Sequence, residues 1–258
     1  MKMYGVCLEA VCPIRKSPTH TAEMVSQLLF GETYEVLTST SEWIEIQTTS
    51  DNYNGFISSK QATLFDEVAF LVYKNAAKEL VSTPLCRLLN IADNSTLYVP
   101  AGAELGLGSR FCIAGHWFAR DENLTTPTWG IVPTAMQFMN APYLWGGRTI
   151  LGIDCSGFVQ LVYKLNNHSL PRDAYQQAAL GKSIDAVAAA VAGDVAFFAN
   201  PQGRIVHTGI LLGNGQIIHA SGKVRIDTID DKGIFNAELQ TYTHTLHSIK
   251  RIILQCGC

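Results

Sequence analysis

The sequence predicts an α+β protein in which small all-β domains precede a domain that combines helices with a β-sheet. Three observations support this class. Residues 1–66 contain short apolar stretches separated by turn residues. Residues 143–165 form a glycine-rich loop that leads into a helical pattern. Residues 205–220 contain two strand-like runs around a Gly-Asn-Gly turn. We therefore expect the β-rich and mixed segments to fold as separate domains.

The first domain is predicted over residues 1–66. Trp43-Ile-Glu-Ile-Gln47 alternates apolar and polar residues, which is typical of a half-buried strand. A turn is expected at Asp51-Asn-Tyr-Asn-Gly55. The order of these elements, with Gly55-Phe56 near the end, resembles a bacterial SH3-like barrel. Strands are expected at Tyr4–Leu8, Gln27–Phe30, Thr33–Thr38, Trp43–Thr48 and Gly55–Ser58.

A second all-β domain is predicted over residues 67–128. Its expected strands are Val68–Tyr73, Ala92–Tyr98 and Phe111–Phe118, with a turn after Pro100. The spacing of these elements predicts a second, divergent SH3-like barrel.

The third domain is predicted over residues 129–258. Pro133 suits the first turn of a helix that extends to Asn140 and is ended by Pro142. Asp154 occupies the position expected for the N-cap of a second helix. The apolar residues of that helix recur at helical spacing and predict one buried stripe, formed by Phe158, Val159, Val162 and Leu165.

Cys155 follows the predicted N-cap and is a candidate nucleophile. The unpaired N–H groups and the positive end of the helix dipole favour a thiolate there. Such positions lower a cysteine pKa from about 8.5 to roughly 3.5–7.5. The alternative is an ordinary buried cysteine, because free cysteine is among the most buried residue types. This stretch alone does not decide between the two.

His207 and His219 supply candidate bases on one predicted hairpin. A two-residue turn at Asn214-Gly215 would place the two histidines on opposite faces. A three-residue loop over 213–215 would place them on one face as diagonal neighbours. The second arrangement suits a relay in which His207 is the base for Cys155 and His219 orients His207. The alternative is that each is an ordinary core or surface histidine.

These residues resemble the NlpC-type papain-like cysteine peptidases of bacteria. The resemblance lies in Asp154-Cys155-Ser156-Gly157-Phe158, then His207-Thr-Gly209, then His219, and covers roughly residues 130–258. It implies a circularly permuted papain-like fold, with Cys155 as nucleophile, His207 as base and His219 as the orienting residue. The substrate class that it implies is bacterial cell-wall peptide.

The same resemblance implies a substrate groove lined by Arg172 and Asp173, to which we add Asp154 and Ser156 beside the nucleophile. Asp173 would hold a free amine of the substrate through a charge-assisted hydrogen bond. The alternative from residue type is a capping aspartate beside a solvated arginine. Related enzymes often have a serine where Ala174 stands, which removes one hydroxyl contact here.

Three aromatic residues complete the predicted groove. Tyr143 and Trp145 would form its walls, and their alternative is a place in the core. Tyr53 is the best match to a tyrosine by which an SH3-like domain of the resembling enzymes reads a free N-terminal L-Ala. Its alternative is an exposed turn tyrosine.

The resemblance therefore implies an intracellular γ-D-glutamyl-L-diamino-acid endopeptidase of cell-wall peptide recycling. Its expected substrate is a murein peptide of the L-Ala-γ-D-Glu-diaminopimelate type. Two alternatives from other classes remain open at this point. One is a wall-peptide binding module without catalysis, and the other is an amidase or acyltransferase that uses the same Cys-His pair.

Composition excludes several other function classes. A net charge of −3 without a basic run argues against nucleic acid as a partner. No segment approaches the ~18 apolar residues of a membrane span, and charged residues interrupt any apolar core of a signal peptide. Seven irregularly spaced cysteines indicate a reducing compartment, hence the cytoplasm. Cys256 and Cys258 are interpreted as a free pair rather than as metal ligands, and we expect a monomer without metal or cofactor.

Overall fold

The structure, a computed structural model, describes residues 2–120 and 130–252. The chain divides into two compact units, Met1–Pro127 and Thr128–Cys258. The first unit is mostly β-structure and the second combines helices with a sheet, which confirms the predicted α+β class. In the described part of the chain, no helix combines the length and the hydropathy that crossing a membrane requires.

The N-terminal part of the first unit is an antiparallel sheet in the order β3-β2-β6-β5-β4-β1-β7. Its inward-facing side chains, among them Ile14, Ile46 and Ile57, form one apolar core. Each predicted strand of this region is present, whereas β2 and β7 were not predicted. The strands are β1 (Met3–Val6), β2 (Val11–Arg15), β3 (Met24–Leu29), β4 (Thr33–Ser39), β5 (Trp43–Thr48), β6 (Asn54–Ser58) and β7 (Thr63–Phe65).

The expected strand at Val68–Tyr73 is wrong, because these residues lie in helix α1 (Glu67–Asn75). Asp66 caps the helix by accepting a hydrogen bond from the Ala69 backbone N–H at 2.8 Å. Phe70 is buried and stacks on Tyr4 with ring centroids 3.9 Å apart. A short apolar run is compatible with either a strand or a helix, so its periodicity did not decide between them.

Six more strands complete the described part of the first unit. They form the sheet β10-β9-β13-β12 and the pair β11-β8. Phe111–Phe118 is a hairpin of two strands rather than the expected single strand, because Ala114 and Gly115 turn the chain at φ values of 50° and 82°. The strands are β8 (Lys78–Leu80), β9 (Leu85–Asn90), β10 (Thr96–Pro100), β11 (Glu104–Gly106), β12 (Arg110–Ile113) and β13 (His116–Arg120).

The two parts of the first unit share a hydrophobic core. Val6 from β1 and Phe30, which directly follows β3, pack with Leu88, Val99 and Phe118 from the following strands. The boundary at residue 66 and the description of residues 67–128 as an SH3-like barrel stay predictions.

The second unit is built around a sheet in the order β16-β22-β17-β18-β19-β20-β21. Strand β21 also pairs with β22, which closes β17 to β22 into a ring. The strands are β14 (Arg148–Thr149), β15 (Gly152–Ile153), β16 (Lys182–Ile184), β17 (Val195–Ala199), β18 (Ile205–Gly213), β19 (Gln216–Ser221), β20 (Lys223–Asp230), β21 (Gly233–Asn236) and β22 (Thr241–Arg251).

Three helices accompany this sheet: α2 (Ile131–Met136), α3 (Cys155–Leu165) and α4 (Ala174–Gln177). Helix α2 ends earlier than the predicted Asn140, and turns follow it. Helix α3 is buried from Cys155 to Tyr163 rather than along a single stripe. Its polar side chains therefore need partners inside the protein, and the Gln160 amide donates a hydrogen bond to the Leu170 carbonyl at 3.0 Å.

Candidate active site

The glycine-rich loop and the start of α3 are joined through Asp154. Its carboxylate accepts hydrogen bonds from the backbone N–H groups of Gly157 at 2.7 Å and Gly146 at 2.8 Å. This is the predicted N-cap. Gly157 has to be glycine, because a Cβ there would lie 2.4 Å from the Gly147 carbonyl oxygen. The loop thus lies directly against the first turn of the helix.

Cys155 is the first residue of α3 and is only 5% exposed. Its sulfur accepts hydrogen bonds from the backbone N–H groups of Thr208 and Ser156. Thr208 directly follows His207 on β18, so the candidate nucleophile lies against the strand that carries the candidate base.

Burial raises the pKa of the Cys155 thiol to about 12. The negative charge of Asp154 acts in the same direction, and the hydrogen bonds and the charge of Arg172 offset it only in part. The expectation of a lowered Cys155 pKa is therefore wrong for this arrangement. The physical reason is that the site excludes water, while the capping carboxylate opposes the positive end of the helix dipole. At neutral pH the sulfur is a thiol that needs a base.

The turn between β18 and β19 is the two-residue alternative and not the three-residue loop that suited the relay. Gly213 pairs with Gln216, so the turn contains only Asn214 and Gly215, whose φ values are 52° and 69°. A β-bulge between Leu211 and Gly213 adds the extra residue instead. The bulge, and not the loop length, brings both histidines to one face.

His207 and His219 are in direct contact. The His207 Nε2 atom lies 2.7 Å from the His219 Nδ1 atom, and the two rings are at 84° to each other. Both side chains are buried. Because His207 uses Nε2 for this contact, its Nδ1 atom is the nitrogen left for another partner.

Asp227 extends this contact into a chain of three side chains, and sequence reasoning missed it. Its Oδ2 atom lies 3.0 Å from the His219 Nε2 atom. Arg225 holds the other oxygen, with 2.9 Å between Nη2 and Oδ1. Arg225 pairs with His219 across β19 and β20, so Asp227 is a diagonal neighbour on the same face. A predicted strand over β20 would have placed Arg225 and Asp227 on one face and so indicated Asp227 as a candidate partner of His219.

His244, on β22, is the second residue that sequence reasoning missed. Its ring stacks on the His207 ring at a centroid distance of 4.1 Å and an angle of 27°. Burial is the main reason that the pKa of His207 lies well below its usual range, and electrostatic interaction with His219 and His244 lowers it further. Burial, then His219, lowers the pKa of His244 to about 4. Both rings are therefore neutral at pH 7.

Arg172, predicted in the substrate groove, is a buried partner of Asp154. The guanidinium is 1% exposed and lies 2.6 Å and 3.0 Å from the two carboxylate oxygens. It also donates to the Ser156 hydroxyl at 2.9 Å. The interpretation of a solvated arginine is wrong. The polar atoms of Arg172, Asp154 and Ser156 contact one another at the start of α3, and a substrate role for these three residues stays a prediction.

Asp173 is the N-cap of helix α4 and is half-buried. The backbone N–H of Asp173 donates a hydrogen bond to the Gln176 side chain at 3.3 Å, in a capping-box arrangement. Gln177, which sequence reasoning missed, donates to the Ser156 carbonyl at 3.0 Å and thus ties α4 to α3. Ala174 is buried.

The predicted aromatic residues have different environments. Tyr143 is half-buried. Burial, followed by electrostatic interaction with Cys155 and Asp154, raises its pKa to about 12, so it lies near the nucleophile. Trp145 is 57% exposed, which makes the core alternative wrong. Tyr53 is half-buried in the turn between β5 and β6 of the first unit, where its backbone N–H donates to the Thr48 hydroxyl at 2.8 Å. A substrate role for these three stays a prediction.

The described residues contain no cluster of three or more His, Cys, Asp or Glu side chains that could hold a metal ion. Five cysteines among them are free thiols. Cys256 and Cys258 lie outside the described residues.

Comparison with known protein families agrees with this geometry. A profile of the NlpC/P60 family matches residues 140–242, a range that contains Cys155, His207, His219 and Asp227. A profile of the bacterial dipeptidyl-peptidase SH3 domain matches residues 14–61.

Two curated relatives carry the same name. The gamma-D-glutamyl-L-lysine dipeptidyl-peptidase of Bacillus subtilis (strain 168) is 30% identical over 216 residues, which cover 76% of this chain and 71% of the relative. The protein of that name from Bacillus cereus (strain ATCC 10987 / NRS 248) is 27% identical over 232 residues, or 78% and 68%.

Among solved structures, an NlpC/P60 family protein from Bacillus cereus ATCC 10987 is similar with a TM-score of 0.80. The match covers 96% of this chain and 99% of the other at 21% identity, which supports the fold alone. The nucleophile at the start of a buried helix, the adjacent histidine strand and these matches lead to one conclusion. The chain belongs to the NlpC/P60 family of cysteine peptidases, with an N-terminal bacterial SH3-like domain.

Proposed function

We propose that this protein is a cysteine endopeptidase that hydrolyses the γ-D-glutamyl bond to an L-diamino acid in murein peptides with a free N-terminal L-Ala. The names of the two Bacillus relatives support the γ-D-glutamyl bond and name lysine as the diamino acid. The sequence resemblance names diaminopimelate instead. Both residues present a free side-chain amine, so one groove could accept either.

The contact between Cys155 and the strand of His207 is the observation that carries this proposal. Cys155 Sγ transfers its proton to His207 Nδ1 and attacks the γ-carbonyl carbon of the D-glutamyl residue. The C–N bond then breaks, and the imidazolium returns the proton to the leaving amine of the diamino acid. A water molecule then gives a proton to His207, and its oxygen attacks the thioester carbon. The C–S bond breaks, the acid leaves, and the imidazolium returns the proton to Cys155 Sγ.

The start of α3 provides a place for the developing oxyanion. The backbone N–H of Cys155 belongs to the first helical turn, whose N–H groups lack partners within the helix. An oxyanion there is also favoured by the helix dipole. The Asp154 cap uses the N–H of Gly157 and leaves that of Cys155 for this purpose.

Recognition of a free amine is assigned to Asp173. Asp173 is half-buried and immediately precedes α4, the helix that Gln177 ties to Ser156. This position favours a charge-assisted hydrogen bond to an ammonium group. A requirement for a free N-terminal amine would restrict the enzyme to peptides already released from the wall. We therefore place it in cell-wall peptide recycling in the cytoplasm, which the free thiols of the described residues support.

The proposal is tested with purified full-length protein and four synthetic peptides. These are L-Ala-γ-D-Glu-L-Lys, L-Ala-γ-D-Glu-diaminopimelate and the N-acetylated form of each. Mass spectrometry should find L-Ala-D-Glu and the free diamino acid from at least one unblocked peptide, and neither product from its acetylated form. The Cys155→Ala variant should lose hydrolysis of every peptide.

Three outcomes would contradict parts of this proposal. Equal cleavage of the acetylated peptides would remove the free-amine requirement, and lysis of whole sacculi would remove the recycling role. Transfer of the L-Ala-γ-D-glutamyl group to an added amine in preference to water would favour the acyltransferase alternative. Substitution Asp173→Asn should raise KM for the unblocked peptide, and Tyr53→Phe tests the separate prediction for that residue.

A further inference from the structure

Asp227 lies at the far end of the chain of hydrogen bonds that begins at His207. We propose that Asp227 is a positioning residue that fixes the protons on both histidines, so that His207 presents an unprotonated Nδ1 atom to Cys155. This inference rests on the proposed function, because it concerns the base of the same reaction. Asp227 lies outside the reacting atoms and acts through His219.

The first step concerns the charge of Asp227. Burial acts to raise the pKa of this carboxyl group, but the hydrogen bonds from His219 and Arg225 outweigh it and lower the pKa overall. The Arg225 guanidinium lies 2.8 Å from Oδ2 through Nε and 2.9 Å from Oδ1 through Nη2. Asp227 is therefore a carboxylate at neutral pH.

The second step follows from the carboxylate being able only to accept hydrogen bonds. The His219 Nε2 atom, 3.0 Å from Oδ2, must therefore carry a proton. When His219 carries this single proton, its other nitrogen is an acceptor, so His219 Nδ1 has a lone pair that points at His207.

The third step transfers this constraint to His207. The 2.7 Å contact between His207 Nε2 and His219 Nδ1 requires one donor and one acceptor. Because His219 Nδ1 accepts, His207 Nε2 donates. His207 is neutral at pH 7, since burial, His219 and His244 hold its pKa low. Its single proton is therefore on Nε2, and Nδ1 is free to take the proton of the Cys155 thiol.

Removal of the Asp227 carboxylate would remove the constraint on which nitrogens of His219 and His207 carry protons. With an amide at position 227, the side-chain NH₂ group can donate to His219 Nε2. The His219 proton then moves to Nδ1, the His207 proton moves to its own Nδ1, and the base is blocked. Substitution of the corresponding carboxylate in the Ser-His-Asp triad has this consequence for a single histidine.

The experiment compares wild type with Asp227→Asn and Asp227→Glu, with Asp230→Asn as the matched control. Asp230 is an exposed residue of the same strand whose carboxylate accepts hydrogen bonds from the Tyr242 hydroxyl and the Lys232 backbone N–H. Proteins labelled with ¹⁵N in histidine give NMR spectra that show which ring nitrogen carries hydrogen. kcat and KM are measured on the unblocked tripeptide that the wild type cleaves.

In wild type we expect hydrogen on Nε2 of both His207 and His219. In Asp227→Asn we expect hydrogen on Nδ1 in a measurable fraction of both rings. We expect a fall in kcat of about 100-fold with little change in KM, which is less than the ~10⁴-fold of a carboxylate bonded to the base itself, because Asp227 acts through His219. Asp227→Glu should restore part of kcat and the wild-type proton positions. Asp230→Asn should match wild type in both readouts.

Two results would overturn the inference. One is a wild-type spectrum with hydrogen on Nδ1 of either ring, which needs no variant to fold. The other is a folded Asp227→Asn protein with wild-type proton positions and a kcat within twofold of wild type. Hydrolysis that survives Cys155→Ala would instead refute the proposed function, so the two failures are distinguishable.

Discussion

At the scale of single residues, the environment of Cys155 decides which form of the nucleophile rests in the site. A helix N-terminus favours a thiolate, but burial and the neighbouring Asp154 carboxylate favour the thiol, and these effects are larger. His207 is neutral for the related reason that its ring is also buried. The pair therefore starts as a neutral thiol and a neutral imidazole, and charge develops only when the proton moves.

This resting state predicts slow alkylation of Cys155. At pH 7, iodoacetamide should modify the exposed Cys112 well before Cys155, because only the thiolate reacts and a pKa of about 12 leaves little of it. Peptide mass spectrometry of samples taken over time measures both sites in one reaction. Rapid and selective modification of Cys155 at pH 7 would contradict the neutral resting state.

Gly209 leads to a second prediction at this scale. It lies opposite His219, and a Cβ there would be 2.8 Å from the His219 Cβ. Gly209→Ala should therefore displace His219 and lower kcat by at least about tenfold, since small displacements of catalytic groups are costly. Gly203→Ala is the control: its φ of 77° makes alanine strained, but no atom lies within 4 Å of the added carbon. Equal activity loss in both variants would mean that backbone strain, and not the position of His219, is responsible.

At the scale of elements, features that depend on adjacent residues could be predicted from the sequence, whereas the pairing of distant strands could not. The Asp154 cap and the start of α3 follow from adjacent residues. Asp227 and His244 reach the relay only through the pairing of β19 with β20 and the position of β22, which no local pattern specifies. The bulge near Leu211 also escaped prediction, because one extra residue in a strand leaves no mark in an apolar run. The strand expected at Val68–Tyr73 is a helix, because the apolar residues of this short run fit the period of a helix as well as that of a strand.

The turn between β18 and β19 predicts a separation of stability from activity. Asn214 and Gly215 both have positive φ, as in the turns that favour Asn-Gly. Gly215→Ala should reduce the free energy of unfolding by about 1 kcal/mol, the usual cost of a left-handed conformation for a residue with a Cβ. Asn214→Gly keeps the conformation accessible and should change that free energy by less than about 0.5 kcal/mol. Urea unfolding followed by circular dichroism measures both, and equal losses would argue against the two-residue turn.

At the scale of the whole molecule, the neutral histidines His207 and His244 predict how folding stability depends on pH. His207 and His244 have folded-state pKa values below the ~6.5 of an unfolded chain. Below pH 6.5 the unfolded chain binds protons that the folded chain does not, so stability is lost as pH falls. The Tm should therefore decrease from pH 7 to pH 5.

Two variants check the origin of that decrease. His244→Phe retains a ring against His207 but removes one titrating group, and its Tm should fall less between pH 7 and pH 5. His247→Gln replaces an exposed histidine of the same strand and should retain the wild-type dependence. Scanning calorimetry at matched ionic strength gives the comparison. An unchanged slope in His244→Phe would show that other groups cause the decrease.

The closure of the sheet in the second unit has a consequence for the order in which the protein is made. Strand β22 joins β16, β17 and β21 and carries the ring that stacks on His207. A ribosome releases the cysteine helix and both histidine strands before it releases β22. A growing chain thus holds its reactive groups for some time without the strand that completes their surroundings, and hydrolytic competence arrives only after β22 has been released.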